Sequence, residues 1–276
     1  MRLQESPILA GVIGWPVAHS RSPRLHGAWL ARHGINGEYR LLPVPPADLA
    51  AVLRTLPAQG FVGANVTIPN KQAVLALCDV LHPSAERAAA VNTLVFADGK
   101  IIGSNTDGYG FIANLRAHGV DPARGPALIL GAGGAARAIG AALQDEGAAV
   151  TFSNRTPERA IALSKDFSPA TVLSWEQREG ALKDFALLVN TTSLGMANQP
   201  PLMMSLDNAA PDLVVADIVY VPLQTPLLAD AAAHGLKTID GLGMLLHQAE
   251  PGFKAWFGVQ PQVDAELYRI VAADLL

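Results

Sequence analysis

Apolar residues fall along this chain in short runs, separated by stretches in which apolar positions recur at helical spacing. Ile8 to Gly14 reads as a strand, and Ser22-Pro23 after it open a helix that Gly34 closes. Serine as N-cap, proline in the first turn and glycine past the end are the residues those positions favour. The pattern then repeats, with Tyr39 to Val44 and Phe61 to Val66 as strands and Ala47 to Leu56 and Asn70 to Leu77 as helices. Alternating strands and helices predict a mainly parallel sheet. Asn92 to Phe96 and Lys100 to Gly103 flank Ala97-Asp98-Gly99, and an Asp-Gly pair between two β-rich runs predicts a hairpin. Asn105-Thr106-Asp107-Gly108 breaks the pattern ahead of a helix through His118.

The stretch from Gly119 to Pro126 is rich in breakers, and a new series begins after it. Its strands read as Ala127 to Leu130, Ala149 to Ser153, Leu187 to Asn190, Leu213 to Ile218 and Lys237 to Ile239, with helices between them, which predicts a doubly wound sheet. Two further helical patterns begin near Gly243 and Val263, and periodicity leaves open which domain they join. With 276 residues, half of them hydrophobic, the chain exceeds the usual size of one domain, and two α/β domains are expected.

Charge narrows the partners. A net charge of −4, with 16% charged residues and no basic run, offers no footprint for nucleic acid or an anionic membrane surface, so a small-molecule partner is expected. No apolar run approaches the ~20 residues that cross a bilayer. Cys78 is the one cysteine, and the first twenty residues hold too short an apolar run for a signal peptide, so a reducing cytoplasm is the expected compartment. His19, His26 and His33 recur every seven residues, which is not the spacing of a metal pair on adjacent helical turns, and no metal is expected.

Leu128-Ile129-Leu130 run directly into Gly131-Ala132-Gly133-Gly134-Ala135-Ala136-Arg137 and then into a helical pattern. Strand, glycine turn and helix in that order are the context a dinucleotide loop needs. Gly131 allows the tight turn, Gly133 and Gly134 admit a pyrophosphate, Ala136 takes the helix-packing position, and the helix N-terminus offers amides and positive dipole to the anion. About twenty residues on, where an NAD enzyme places a carboxylate for the ribose, this chain has Asn154-Arg155-Thr156, with Arg159 one turn later. Arginine clamps a 2′-phosphate that a carboxylate would repel, which points to NADP(H); the structural alternative is a pair of surface charges.

Four polar clusters end the apolar strands of the first domain: Ser20 to Pro23, Asn65 to Lys71, Val91 to Thr93 and Asn105 to Asp107. Each has a structural alternative, with Ser22 and Asp107 as helix caps, Asn65 and Thr67 closing a turn and Lys71 solvated. Together they supply hydroxyl, amide, amine and carboxylate groups suited to a small polyhydroxylated acid. Here the chain closely resembles the shikimate dehydrogenase family, from Gly11 to Ala249. The elements carrying the resemblance are Ser20 to Pro23, Asn65 to Lys71, Asn105 to Gly108, Gly131 to Arg137, Asn154 to Thr156, Asn190 to Met196, Tyr220 to Leu227 and Gly241 to Ala249, in family order. Asn70, often aromatic or histidine in relatives, is a mild departure.

The resemblance implies reversible NADPH-dependent reduction of 3-dehydroshikimate to shikimate, on the route to chorismate and the aromatic amino acids. It implies that Lys71 and Asp107 form the proton-transfer pair, that Ser20, Ser22, Thr67 and Tyr220 bind the substrate carboxylate end, and that Asn92 and Gln248 hold ring hydroxyls. Gly241 belongs to the substrate-facing motif, and with Thr191 and Met244 also to the nicotinamide side, although Met196 and Met244 have core filling as an equal alternative. The cofactor set is completed by Gly131, Ala132, Gly133, Gly134, Ala135, Asn154, Arg155, Thr156 and Arg159. It further implies a substrate-binding domain of residues 1–107 plus 243–276 and a Rossmann-like NADP-binding domain of 108–242, flanking a cleft that a hinge closes. Monomer and homodimer both stay open. Quinate dehydrogenases are the near rival, since quinate-preferring relatives often carry threonine or glycine in place of Ser22 and NAD-using ones an acid near Arg155. A nucleotide sensor without turnover is the rival of another class, and the intact Lys71 and Asp107 argue against it.

Overall fold

The computed structural model describes residues 6–275 and divides them into two compact units, one through Thr106 plus Gln248–Asp274 and the other Asp107–His247. The first unit contains β1 (Ile8–Gly14), α1 (Ser22–Arg32), β2 (Gly37–Pro43), α2 (Leu49–Thr55), β3 (Phe61–Val66), β4 (Val80–Leu81), α3 (Pro83–Ala88), β5 (Thr93–Ala97) and β6 (Lys100–Ser104). Its sheet runs β2-β1-β3-β5-β6-β4. The β2-β1-β3 part is parallel, β3-β5 and β5-β6 are antiparallel, and β4 joins β6 in parallel. Asp98 and Gly99, both at positive φ, turn the β5-β6 hairpin so that Ala97 pairs with Lys100, as the Asp-Gly signal predicts.

The second unit contains α4 (Asp107–Ala117), β7 (Ala127–Leu130), α5 (Gly134–Asp145), β8 (Val150–Ser153), α6 (Pro157–Lys165), β9 (Ala170–Val172), β10 (Leu187–Asn190), β11 (Val214–Asp217), α7 (Pro226–Ala233), β12 (Lys237–Ile239) and α8 (Gly241–Gln248), whose last residue falls in the first unit. Its six strands are all parallel in the order β12-β11-β10-β7-β8-β9, the doubly wound arrangement. The uniformly apolar run of β7 has a simple cause: Ala127 and Ile129 join the core beneath α4 and α5, while Leu128 and Leu130 join the opposite core with α7, so neither face meets water.

The chain then returns to the first unit as α9 (Glu250–Phe257) and α10 (Ala265–Ala272). There α9 packs on β3 and β5, with the Trp256 indole N–H donating to the Leu94 carbonyl at 2.9 Å, and α10 packs on α1. Arg21 and Arg24 both grip Asp274 at 2.5 Å, and these guanidiniums, Arg21 foremost, hold its carboxyl well below the usual carboxylate range. One face of this sheet carries the aliphatic core of α2 with Ile13, Val66 and Leu94. Aromatic contacts join Trp29 and His26 of α1, Tyr39 of β2, and Phe253 and Trp256 of α9.

Three expectations need correction. The helix expected over Asn70 to Leu77 is a turn followed by a short 3-10 segment, Ala73–Leu77. The Lys71 carbonyl accepts from the Val91 N–H at 2.8 Å and the Asn70 side chain donates to the Val44 carbonyl at 2.9 Å, so this backbone is tied sideways to the sheet. Helix α2 begins at Leu49, after a 3-10 turn over Pro46–Asp48. Ser22 is the first helical residue and not the N-cap, which is Arg21. Its own N–H instead donates to the Ser20 hydroxyl oxygen at 3.3 Å.

Candidate active site

In the first unit, strand register gathers the polar clusters at one end of the sheet. Thr67 and the Ser20–Ser22 turn follow the carboxyl ends of the parallel strands β3 and β1. Because β5 runs antiparallel to β3, its start lies at that same end, with Thr93 opposite Asn65, and because β6 returns antiparallel, Ser104 lies opposite Thr93. Asn92 and Thr106 therefore meet across the sheet end. The Val91 N–H bond to the Lys71 carbonyl places the lysine backbone one residue from Asn92. The Thr67 N–H donates to the Ile13 carbonyl at 2.8 Å, continuing the β1-β3 ladder by one rung.

Asn92 is the hub of this end and is buried. Its Oδ1 accepts from the Thr93 hydroxyl at 2.9 Å, the Thr106 N–H at 2.9 Å and the Thr106 hydroxyl at 3.1 Å, and its Nδ2 donates to Gln248 Oε1 at 2.9 Å. Two residues expected at the substrate, Asn92 and Gln248, are thus in contact although 156 positions apart in sequence. Asp107 follows Thr106 directly and is buried in the first turn of α4. Beneath the hub, Tyr39 Oη donates to Asn65 Oδ1 at 2.6 Å, and the Asn65 amide donates to the Asn92 carbonyl and the Thr93 hydroxyl. Tyr39 was not singled out from sequence beyond opening a strand. Tyr39 is the one buried residue of β2, and a buried tyrosine hydroxyl finds a polar partner.

His26 is fully buried against this network, its ring stacked on Tyr39 with centroids 4.0 Å apart and planes 7° apart. Neither ring nitrogen has a hydrogen-bond partner. Burial pushes its pKa down to about 3, and the nearby Asn65 side chain, already committed to other partners, offsets only part of that. A hollow of about 580 Å³ lies at the far end of the sheet, lined by Phe61, Arg54, Asp79, Phe96 and Lys100. None of the site residues lines it, so the clustered polar end and not the hollow is the candidate substrate site.

In the second unit, the loop from β7 to α5 has the geometry an anion needs. Gly131 sits at φ +113°, and a Cβ there would come 2.6 Å from the Thr191 hydroxyl, so only glycine fits. Gly133 is the N-cap of α5, whose first turn carries no acid, and a Cβ on Gly133 or Gly134 would meet no protein atom within 4 Å. The glycines therefore leave a cradle above the helix N-terminus that the protein does not fill, as a bound phosphate group requires. At the end of β8, the Asn154 amide donates to the Thr156 carbonyl at 2.9 Å, while Arg155, Thr156 and Arg159 are exposed at the start of α6. No carboxylate stands at 154–156, and these residues fit a 2′-phosphate.

The loops after β10 and β11 are held by a buried set that sequence reading missed. Asp217 Oδ1 accepts from Asn190 Nδ2 at 3.0 Å and from the Val219 N–H at 3.0 Å, and its Oδ2 accepts from the Thr225 hydroxyl at 2.8 Å. Burial raises the Asp217 pKa against those three hydrogen bonds. The motifs that begin at Asn190 and Tyr220 are thus anchored to one another by their ends. Thr191 uses its hydroxyl on the Leu130 carbonyl at 2.7 Å, Tyr220 is half-buried, Gly241 lies against the Ile218 carbonyl, and Met244 packs in the core with Phe111 and Ile139.

Comparison with known proteins agrees with this geometry. A family model described as the shikimate dehydrogenase substrate binding domain matches residues 12–94. The shikimate dehydrogenase (NADP(+)) of Acidiphilium cryptum is 66% identical over 97% of each chain, and that of Paracoccus denitrificans 56% identical over 96% of each. Among solved structures, shikimate 5-dehydrogenase from Thermus thermophilus in complex with NADP(H) and shikimate is 37% identical, with a TM-score of 0.88, covering 98% of this chain and 100% of that one. The chain belongs to the shikimate dehydrogenase family.

Proposed function

We propose that this protein catalyses the reversible NADPH-dependent reduction of 3-dehydroshikimate to shikimate, with the first unit holding substrate and the second holding cofactor. The observation that carries the reading is the polar hub around Asn92 and Gln248, built beside Lys71 and immediately ahead of Asp107, in a chain 66% identical to an NADP-dependent shikimate dehydrogenase. NADPH, when bound, supplies the hydride that reduces the ketone carbon.

The protein's own groups do the rest. Ser20, Ser22, Thr67 and Tyr220 offer hydroxyls to the substrate carboxylate, and Asn92 and Gln248 offer amides to the ring hydroxyls. As the ketone oxygen gains negative charge, the Lys71 ammonium stabilises it, and the Lys71 and Asp107 pair delivers the proton. Arg155, Arg159 and Thr156 hold the 2′-phosphate, Asn154 shapes that turn, and Gly131 to Ala135 pass the pyrophosphate to the α5 N-terminus. Thr191, Gly241 and Met244 border the nicotinamide side, Met244 doing so from the core. The cytoplasm is the compartment assigned.

The test is steady-state kinetics of Lys71→Ala and Asp107→Asn, each expected to lower kcat by about 10² or more, in the range general acid–base catalysis supplies. Near-normal turnover in either variant would remove that residue from the chemistry.

A further inference from the structure

The hydroxyl of Tyr39 has no part in the roles above, yet it heads a chain of hydrogen bonds whose direction follows atom by atom. Tyr39 Oη donates to Asn65 Oδ1 at 2.6 Å. With its oxygen on the phenol, the Asn65 amide turns its NH₂ to the Asn92 carbonyl at 3.1 Å and to Thr93 Oγ1 at 3.2 Å. A threonine hydroxyl has one proton to give. The Thr93 oxygen accepts from Asn65, and its proton serves Asn92 Oδ1 at 2.9 Å, nearer than the Thr106 hydroxyl at 3.3 Å. The Thr106 N–H and hydroxyl add two more donors to the same oxygen. With its oxygen so engaged, the Asn92 amide presents its NH₂ to Gln248 Oε1 at 2.9 Å. Every donor in this series donates to the next member, from the phenol to Gln248.

We propose that Tyr39 is a positioning residue for substrate, which through Asn65 and Thr93 holds Asn92, and with it Gln248, in place and so sets affinity for the hydroxylated ring. The proposal rests on the assignment of Asn92 and Gln248 to the ring hydroxyls. Packing holds the phenol in place: it is buried and its ring lies flat on His26. Burial raises the phenol pKa well above its ordinary value, so Tyr39 stays a donor across the working pH range. Without that donor, Asn65 Oδ1 is a buried acceptor without its partner, and flipping is no remedy because it would set that oxygen against the Asn92 carbonyl; the amide instead shifts toward another donor and loosens its bonds to Asn92 and Thr93.

The test is shikimate oxidation by Tyr39→Phe, Thr93→Val, the double variant and Asn92→Ala, with shikimate and NADP varied separately. Tyr39→Phe keeps the ring on His26 and Thr93→Val is isosteric, so each removes one hydroxyl. Each should raise the KM for shikimate about tenfold, the order expected for one unsatisfied buried group. The KM for NADP should stay within about twofold, which also reports an intact fold, and kcat should change less than the shikimate KM. Two hydroxyls acting through one chain are not additive, so the double variant should be no worse than the poorer single. A shikimate KM unmoved in both singles, multiplicative losses in the double, or a parallel rise in the NADP KM would each overturn the proposal. Asn92→Ala separates the two layers of the argument. If it raises the shikimate KM while Tyr39→Phe does not, only the positioning role falls; if it leaves that KM unchanged, the substrate assignment falls and the positioning role with it.

Discussion

Acidification should destabilise this protein partly through one residue, His26. Its imidazole is fully buried with no hydrogen-bond partner, and burial lowers its pKa from 6.5 to about 3. Between those values the unfolded chain binds a proton that the native state refuses, so stability rises with pH through this window and is lost as pH falls below about 6.5. One pKa unit corresponds to about 1.4 kcal/mol. At pH 7 the contribution is nearly nil, and at pH 5, about one and a half units below the unfolded value, it amounts to roughly 2 kcal/mol. His26→Phe keeps a planar ring against Tyr39 and removes the titration. Whatever the packing cost of the larger ring, it is the same at both pH values and cancels. Urea unfolding at pH 7 and pH 5, followed by the fluorescence of Trp29 and Trp256, whose rings lie 5.7 and 5.6 Å from His26, reads the difference. The wild type should lose about 2 kcal/mol more than His26→Phe on going from pH 7 to pH 5. Equal losses in the two proteins would refute the reasoning and mean that the buried imidazole accepts a proton at little cost.

Arg155→Ala should raise the KM for NADP by about 10- to 100-fold, the worth of a hydrogen bond to a charged group, and leave the KM for NAD nearly unchanged; an unaltered NADP-to-NAD preference would remove Arg155 from the phosphate site. Asp217→Ala leaves Asn190, Thr225 and the Val219 N–H without their buried acceptor. It should cost on the order of 3 kcal/mol and lower the melting temperature by several degrees, and a melting curve matching the wild type would show that the loop anchor is dispensable.

The parts of the fold that were legible are those whose cause is local. Leu128 to Leu130 and Leu187 to Val189 read as strands because both sheet faces bury them, and β7, β10, β12 and β3 have the bounds that their apolar runs predict. Asp98-Gly99 read as a hairpin because its turn needs two residues at positive φ. What failed was decided by hydrogen bonds that the apolar pattern does not report. The helix expected from Asn70 is displaced by bonds from Lys71 and Asn70 to Val91 and Val44, and Ser22 is relieved of capping by its neighbour Ser20. Periodicity reports which face a side chain occupies but not which polar atom answers it. Tyr39 and Asn65 lie 26 residues apart, Asn190 and Asp217 27, and Asn92 and Gln248 156, so the two buried networks left no local trace. Motif resemblance recovered Asn92 and Gln248 without the bond that joins them, and it passed over the phenol that is linked to them through Asn65.

The measurement that bears most directly on the central claim is absorbance at the reduced-nicotinamide band, with purified protein offered shikimate or quinate in turn, each with NADP or NAD. Strong reduction with shikimate and NADP, and weak reduction in the other three pairings, is the expected result. Equal or better turnover of quinate, or a preference for NAD, would contradict the roles given to Ser22 and Arg155, and no reduction with any pairing would contradict the catalytic reading of Lys71 and Asp107 altogether.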